Sequence, residues 1–349
     1  MQHIELSAHE ARFIRAQVPL APYTTFKIGG TADFFAEVTT LDELRDALRF
    51  AKNNNLKTFV LGGGSNLLIA DEGFRGLVVH MAIRGIVYEE HGGKVLVTVG
   101  AGEKLDDVIQ AAVENNLWGI ENLSAIPGSI GGAAVQNAGA YGVELSSVVD
   151  SITVYDTQEK RTSVRSHDEC AYDYRESFFK REEGKHLILT HVTLALSRAG
   201  APQLSYKDLA VAFSEHTPSL QEIRDALIAI RAKKFPNLAQ YGTAGSFFKN
   251  PVIAKESYDA LQEKYPQLPG YVLEGARVKI PIAWILDNVL KLRGVRAARV
   301  GAWEAQPLVL TNYGSATAEE VDVFARSIAQ AVKEHTDIDI EREVIAVHA

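Results

Sequence analysis

Two glycine-rich segments constrain this chain more than anything else in it: LGGGSN at residues 61–66 and IPGSIGGAAVQNAGAYG at residues 126–142. Each follows a short apolar run, and neither ends in the Gly-Lys-Ser/Thr that lets a P-loop reach terminal phosphates and magnesium. A residue without a side carbon lets successive backbone N–H groups converge on an anion, and it tolerates positive φ where the chain folds back. The pair points to a bound diphosphate, cradled by backbone and not by lysine, with Ser65 and Asn66 adding side-chain donors. Taken singly, either segment reads as a tight turn between strands; the presence of both, with Ala133 and Ala134 between glycines, weighs against that. A third pattern, VLVTVGAGEKL at residues 95–105, opens like a dinucleotide fingerprint. Leu105, however, stands where a third glycine or alanine would let helix pack closely on strand, so this stretch reads as a strand-to-helix turn.

Length and composition bound the remaining possibilities. A chain of 349 residues suggests two or three domains. With 46% hydrophobic and 23% charged residues it has globular composition, and no apolar run is long enough to span a bilayer. The first residues carry charges and no apolar core, so no secretory signal is expected and the protein is expected in the cytoplasm. Cys170 is the single cysteine, which excludes an intramolecular disulfide and a thiolate metal cluster. The histidines show no His-Glu-x-x-His arrangement, and no metal is expected. A net charge of −8 argues against nucleic acid or an anionic membrane as partner. An anionic ligand would need local cations.

Periodicity places the elements. Thr40 to Glu43 reads as a capping box ahead of a helix carrying Leu41, Leu44, Leu48 and Ala51, followed by a strand over 58–61 that delivers LGGGSN. Further strands are expected over 76–80, 83–89, 94–100, 151–156 and 186–196, with a helix over 105–115 among them. Another helix opens at Ser219 with Leu220, Ile223, Leu227 and Ile230 on one face, after a polar stretch at 213–218 that marks the main domain boundary. A second capping box, Thr317 to Glu320, starts the last helix, and a final strand is expected over 338–347.

Six spaced motifs carry a resemblance: TTFKIGG (24–30), LGGGSNLL, IPGSIGGAAVQNAGAYG, YRESFFK (174–180), AGSFFKNP (244–251) and IEREV (340–344). In that order they resemble the UDP-N-acetylenolpyruvoylglucosamine reductase family, from about Leu20 to the C-terminus. The resemblance implies an α+β fold: a two-part FAD-binding region of the PCMH/vanillyl-alcohol-oxidase type and a C-terminal α+β substrate-binding domain. The expected division is 1–215 (subdomains about 1–70 and 71–215) and 216–349, with the active site in the cleft between. It implies non-covalent FAD, NADPH as reducing co-substrate, and reduction of UDP-N-acetylglucosamine enolpyruvate to UDP-N-acetylmuramate by a monomer.

The same resemblance assigns residues. Leu61, Gly62, Gly63, Gly64, Ser65, Asn66, Ile126, Pro127, Gly128, Gly131, Gly132, Asn137 and Gly139 are expected to hold FAD. Arg175, which by itself would read as a solvated surface residue, is expected to stabilise negative charge on the substrate carboxylate, since a guanidinium is permanently charged and forked. Ser246 would otherwise be a strand-start serine; without a Gly-x-Ser-x-Gly elbow it is no hydrolase nucleophile, and it is expected to donate a proton. Glu343 shares one strand face with Asp339 and Glu341, a pattern that usually means solvent; the Glu-Val ending selects Glu343 as the partner of Arg175. Tyr141, Tyr206, Lys234, Lys249, Asn250, Tyr271 and Gln306 are expected to bind substrate. Trp303-Glu304-Ala305 departs from the family's histidine-containing stretch. Two other readings are an FAD-dependent hydroxy-acid oxidase of the same broad fold and an inactive nucleotide-sugar binding module.

Overall fold

The computed structural model describes residue 4 and residues 6–348. The chain forms two compact units that interleave along the sequence. One takes the chain up to Val18, Ala32–Gly63 and Arg75–Arg231; the other takes Pro19–Thr31, Gly64–Phe74 and the chain from Ala232 onward. Compactness thus cuts the chain within the first glycine-rich segment and near the end of a helix, in contrast to a single cut at 215.

The first unit holds two sheets. One has the strand order Ile14–Pro19, Thr31–Val38, Phe74–Met81, Thr58–Leu61, the last two parallel in the register Leu61 to His80. The other is antiparallel, in the order Arg161–Ser166, Val149–Asp156, Leu187–Leu196, Lys94–Gly100, Ile86–His91. The helix Leu41–Asn53 buries Leu44, Ala47, Phe50 and Ala51 in the core shared with these strands. Its cap is displaced by one residue from the expected box: Thr40 accepts from the Glu43 amide, while the Glu43 carboxylate reaches back to Thr39. The helix Leu105–Glu114 packs Val108, Ile109 and Ala112 into the same core. A short helix absent from the periodicity reading, Ile130–Gln136, lies inside the second glycine-rich segment, where glycines and alanines leave no apolar stripe to read.

The second unit is built on the sheet Gly242–Ser246, Val309–Asn312, Val300–Ala302, Arg296–Ala297, with a three-stranded ribbon Val252–Ala254, Arg277–Lys279, Tyr271–Leu273. The helix Ala318–Thr336 covers its core with Val321, Phe324, Ile328 and Val332, and here the reciprocal Thr317–Glu320 capping box forms completely. Residues of the TTFKIGG motif belong to this unit: Thr25 exchanges backbone and hydroxyl bonds with Thr243 at 3.0 and 2.7 Å. The expected last strand is shorter than its pattern. Ile345–Val347 pairs in parallel with Leu67–Ile69, and residues ahead of it make only an isolated bridge, Arg342 to Phe248.

Candidate functional site

The two glycine-rich segments meet in the first unit. A Cβ on Gly63 would stand 2.5 Å from the Gly128 Cα and 2.6 Å from the Ser129 nitrogen, and one on Gly62 would stand 2.6 Å from Ser129 Oγ. Glycine is required there by the approach of one backbone to another. Ser129 fastens the contact: its hydroxyl oxygen accepts from the Gly63 amide at 3.2 Å and, as a helix N-cap, from the Gly132 amide at 3.3 Å. The stretch that reads as a plain strand-to-helix turn forms a third wall. Leu105 N donates to Gly128 O at 3.0 Å, Ile130 N to Glu103 O at 2.8 Å and Gly131 N to Ala101 O at 3.0 Å.

These walls enclose a cavity of about 330 Å³. Gly62, Gly63, Ile126, Pro127, Gly128 and Ser129 line it from the two expected segments. Gly102, Lys104, Asp106, His80 and Arg84 line it as well, and these are the residues that sequence reasoning missed. For Lys104 the sequence carries a signal, a lysine two residues after the Gly-x-Gly at 100–102; for Arg84 and His80 it carries none. Lys104 and Arg84 thus add cations to a cavity that the two expected segments line with glycine backbone. Asp106 adds no free negative charge. Burial works against its carboxylate, but the Arg224 guanidinium, bidentate at 2.6 and 2.9 Å, and the Ala125 amide outweigh that and hold its pKa low. Burial pushes the His80 imidazole below its ordinary value against the pull of Glu37, so it is neutral near pH 7. Bare glycine backbone at the wall, a volume at the small end of ligand pockets and the cations Lys104 and Arg84 fit the phosphate-bearing part of FAD.

The other expected cofactor residues divide. Leu61 is fully buried beneath the first segment. Gly64, at φ +60°, Ser65 and Asn66 fall in the second unit. There the Asn66 side-chain amide donates to the Glu343 carbonyl at 3.1 Å, and the Asn66 carbonyl accepts from Ile345 N at 3.0 Å, so Asn66 fastens the end of the chain. Asn137 caps the short helix in the left-handed region at φ 46°. Its side chain is spent on Glu144, the Asp173 carbonyl and the Ser146 amide.

Arg175 occupies a tight turn closed by reciprocal bonds between Asp173 and Glu176, at φ 55°, a conformation uncommon for a residue with a side chain. Its guanidinium donates to the Gly139 carbonyl at 2.7 Å and to the Asn137 carbonyl at 3.4 Å, and it lies 5.3 Å from the Tyr174 ring. The second glycine-rich segment thus orients this cation with backbone acceptors.

The segments that carry Ser246 and Glu343 meet in the second unit. The strand Gly242–Ser246 carries a bulge between Thr243 and Ser246, with Gly245 at φ +78°. Bulges re-aim side chains and recur beside active sites. The Ser246 hydroxyl is half-buried and makes no hydrogen bond to protein among the described residues. Phe247 and Phe248 are both buried, 1% and 2% exposed, because the chain leaves the strand after Ser246 and the two do not alternate across it. Phe247 O accepts from Glu343 N at 2.9 Å, which puts Glu343 across from the residue after Ser246. Glu343 itself sits in a bend ahead of the last strand.

The expected substrate residues fall in both units. In the first, Tyr141 packs edge-on against Tyr206 at 4.9 Å, and Tyr206 is 40% exposed. In the second, Lys249 pairs with Glu341 at 3.2 Å. Asn250 accepts the Ile282 amide through Oδ1 at 3.0 Å, Tyr271 is 60% exposed on the ribbon, and Gln306 closes a turn with Trp303. Lys234 ends the helix Leu220–Lys234. Among the described residues, no group of His, Cys, Asp or Glu is arranged to hold a metal, and no helix is long and apolar enough to cross a membrane.

Comparison with known proteins completes the description. Residues 32–164 match the family model for an FAD binding domain, and residues 237–347 match that for the C-terminal domain of UDP-N-acetylenolpyruvoylglucosamine reductase. The UDP-N-acetylenolpyruvoylglucosamine reductase of Porphyromonas gingivalis is 36% identical over 334 residues, covering 95% of this chain and 98% of the relative. That of Neisseria meningitidis is 36% identical over 335 residues, 95% and 96% of the two chains. The crystal structure of the reductase from Thermus caldophilus superposes with a TM-score of 0.67 at 25% identity, covering 96% of this chain and 100% of that one. The expected α+β fold, an FAD-binding region joined to a reductase C-terminal domain, is borne out.

Proposed function

The chain belongs to the UDP-N-acetylenolpyruvoylglucosamine reductase family, and from that premise we propose that it reduces the enolpyruvyl group of UDP-N-acetylglucosamine enolpyruvate to UDP-N-acetylmuramate in peptidoglycan precursor synthesis. The protein is an FAD-containing oxidoreductase. NADPH as its reductant, a monomeric state, a cytoplasmic location and the functional division at 215/216 are parts of the same proposal. The observation that carries the reading is the 36% identity spanning 95% of this chain and 98% of a named relative.

Bound FAD would supply the two-electron chemistry that no side chain here can perform. It would be held by the backbone of residues 61–64 and 126–132, with Asn137 and Gly139 shaping the second segment. The protein's own groups handle charge and proton. Arg175 offsets the negative charge that grows on the substrate carboxylate, and its two carbonyl acceptors fix its direction beforehand. Ser246, whose hydroxyl is uncommitted to protein, donates the proton to the carbon beside that carboxylate. Glu343 contributes a carboxyl from the segment paired with Phe247. Asn250 has its carbonyl oxygen engaged by Ile282, so it can serve the substrate as a donor. Lys234, Lys249, Gln306, Tyr141, Tyr206 and Tyr271 supply the remaining contacts, including cations for the UDP diphosphate.

The test is NADPH consumption with and without the enolpyruvyl substrate. Consumption that depends on the substrate and yields UDP-N-acetylmuramate is expected. Oxygen uptake with a hydroxy acid and no need for NADPH would establish the oxidase instead, and tight nucleotide-sugar binding without turnover would establish the binding module.

A further inference from the structure

The cavity in the first unit holds two cations that the protein leaves unanswered. Lys104 and Arg84 both line it, both are exposed, and among the described residues neither side chain makes a hydrogen bond or ion pair. Of the nearby acids Asp106 lines the cavity and Glu103 does not. Asp106 is matched by Arg224, whose side chain is 7% exposed, and the Glu103 carboxylate accepts from the Gly85 amide at 2.8 Å. The cavity wall therefore carries net positive charge in a chain whose net charge is −8. Gly62, Gly63 and Gly128, which line the same cavity, present bare backbone there, and Lys104 is bridged by main chain to Ser129 beside them. Two cations and bare glycine backbone lining one cavity make a receptor for a polyanion small enough for about 330 Å³, a volume that admits part of a dinucleotide and not the whole.

We infer that Lys104 and Arg84 hold the diphosphate of the flavin dinucleotide, and that they set the preference for FAD over flavins lacking the second phosphate. This rests on the FAD-containing reading above. The glycine wall alone would favour any group that accepts from backbone amides. The cations add a term that grows with ligand charge and weakens with salt. Lys104 follows Glu103, whose backbone carbonyl accepts from Ile130 N, so the lysine is carried on a segment locked to the second glycine-rich stretch. Arg84 lies one residue beyond Ile83, whose carbonyl accepts from Gly102 N at 2.9 Å. Both cations are thereby mounted on wall backbone.

The experiment measures binding by quenching of flavin fluorescence in the full-length chain stripped of its flavin, for the parent and for Lys104→Gln, Arg84→Gln, the double variant and Lys104→Arg. FAD, FMN and riboflavin are titrated at low and high salt. Each single charge loss should weaken FAD about ten-fold, the scale of one charge-assisted hydrogen bond, with the double variant near 100-fold. Riboflavin should bind equally to all, Lys104→Arg should keep the parental affinity, and the salt dependence for FAD should flatten in the double variant. Unchanged thermal midpoints by circular dichroism separate this from misfolding. FAD affinity and salt dependence that survive both substitutions would overturn the inference while leaving the flavoenzyme reading intact. A parent chain that binds no FAD would overturn both.

Discussion

The glycine cavity of the first unit and the Ser246 strand of the second hold their functional groups in opposite ways. Around Gly63 the backbone of three sequence stretches is pressed together until a methyl group would meet another main chain at 2.5 Å. Around Gly245 the chain is bulged, at φ +78°, and a Cβ placed there would meet nothing within 4 Å. In the first region the shape of the backbone is the device, and side-chain identity matters by its absence. In the second the shape is relaxed and one hydroxyl is the device. The difference predicts that the first region fails by losing its ligand and the second by losing its chemistry.

The largest expected effect tests the second half of that contrast. Ser246→Ala should lose turnover by about 100-fold to 10,000-fold, the usual contribution of a positioned proton donor, with substrate affinity and thermal midpoint close to parental. Ser246→Cys, which retains an acidic hydrogen, should recover part of the rate. Turnover within a few-fold of the parent in Ser246→Ala would move the proton donation to water or to Glu343.

A pair of glycine substitutions addresses the contrast directly. Gly63→Ala forces main chain away from Gly128 and Ser129 and should cost about 1–3 kcal/mol of stability, as overpacking does. It should also purify with little or no flavin, read from its visible absorbance. Gly245→Ala meets no atom but takes a side chain into the left-handed region, at about 1–2 kcal/mol, and should keep its flavin. Similar stabilities with opposite flavin contents would sharpen the comparison. A yellow, fully loaded Gly63→Ala protein would break it.

What the sequence made legible follows the same division. Glycines forced by backbone contact announce themselves: the sequence assigns both glycine-rich segments to one ligand, and the structure brings Gly62, Gly63 and Gly128 to one cavity. The strands at 94–100 and 187–196 were legible because alternation reports burial on one face. The third wall was not, since Leu105 breaks the familiar glycine spacing and hides that residues 101–105 are bonded to 128–131 by main chain alone. Asn66 reads as a ligand donor from its place after the three glycines and Ser65, while the bond from its amide to the Glu343 carbonyl, 277 residues away in sequence, leaves no local signal. The last strand was drawn too long for a related reason. Residues 341–343 are held by Phe247 and Lys249 on one side of the bend and the rest by Leu67–Ile69 on the other, and no local pattern records such a change of partner.

Acidification tests the first unit through His80, which lines the cavity. Its pKa is lowered in the folded chain, chiefly by burial, so the unfolded chain takes up a proton first. Its contribution to stability is complete above the ordinary value of 6.5 and is lost as pH falls through the lower folded value. Thermal midpoints should therefore drop between about pH 7 and pH 5 more steeply in the parent than in His80→Gln. His191, shifted the same way by burial, adds a second slope that His80→Gln leaves in place. Identical pH profiles for parent and variant would mean that His80 is solvated as freely in the folded chain as in the unfolded one.

The smallest expected effect lies in the second unit, at the pair Lys249–Glu341. The two are 3.2 Å apart, with the glutamate side chain 78% exposed and the lysine 27% exposed. An exposed pair of this kind stabilises a fold by at most about 1 kcal/mol, so Glu341→Gln should leave the thermal midpoint nearly unchanged. The backbone bond from Lys249 N to Glu341 O is untouched by the substitution, and the lysine stays in place. What changes is competition: the Lys249 ammonium no longer has a carboxylate to leave when an anionic substrate arrives. KM for the UDP substrate should then fall a few-fold at low salt, with kcat unaltered, and the difference should shrink as salt screens both pairings. A KM that rises, or one that moves equally at all salt concentrations, would mean that Glu341 orients Lys249 and does not compete for it. In that case the second unit fixes a side chain as rigidly as the first unit fixes its main chain.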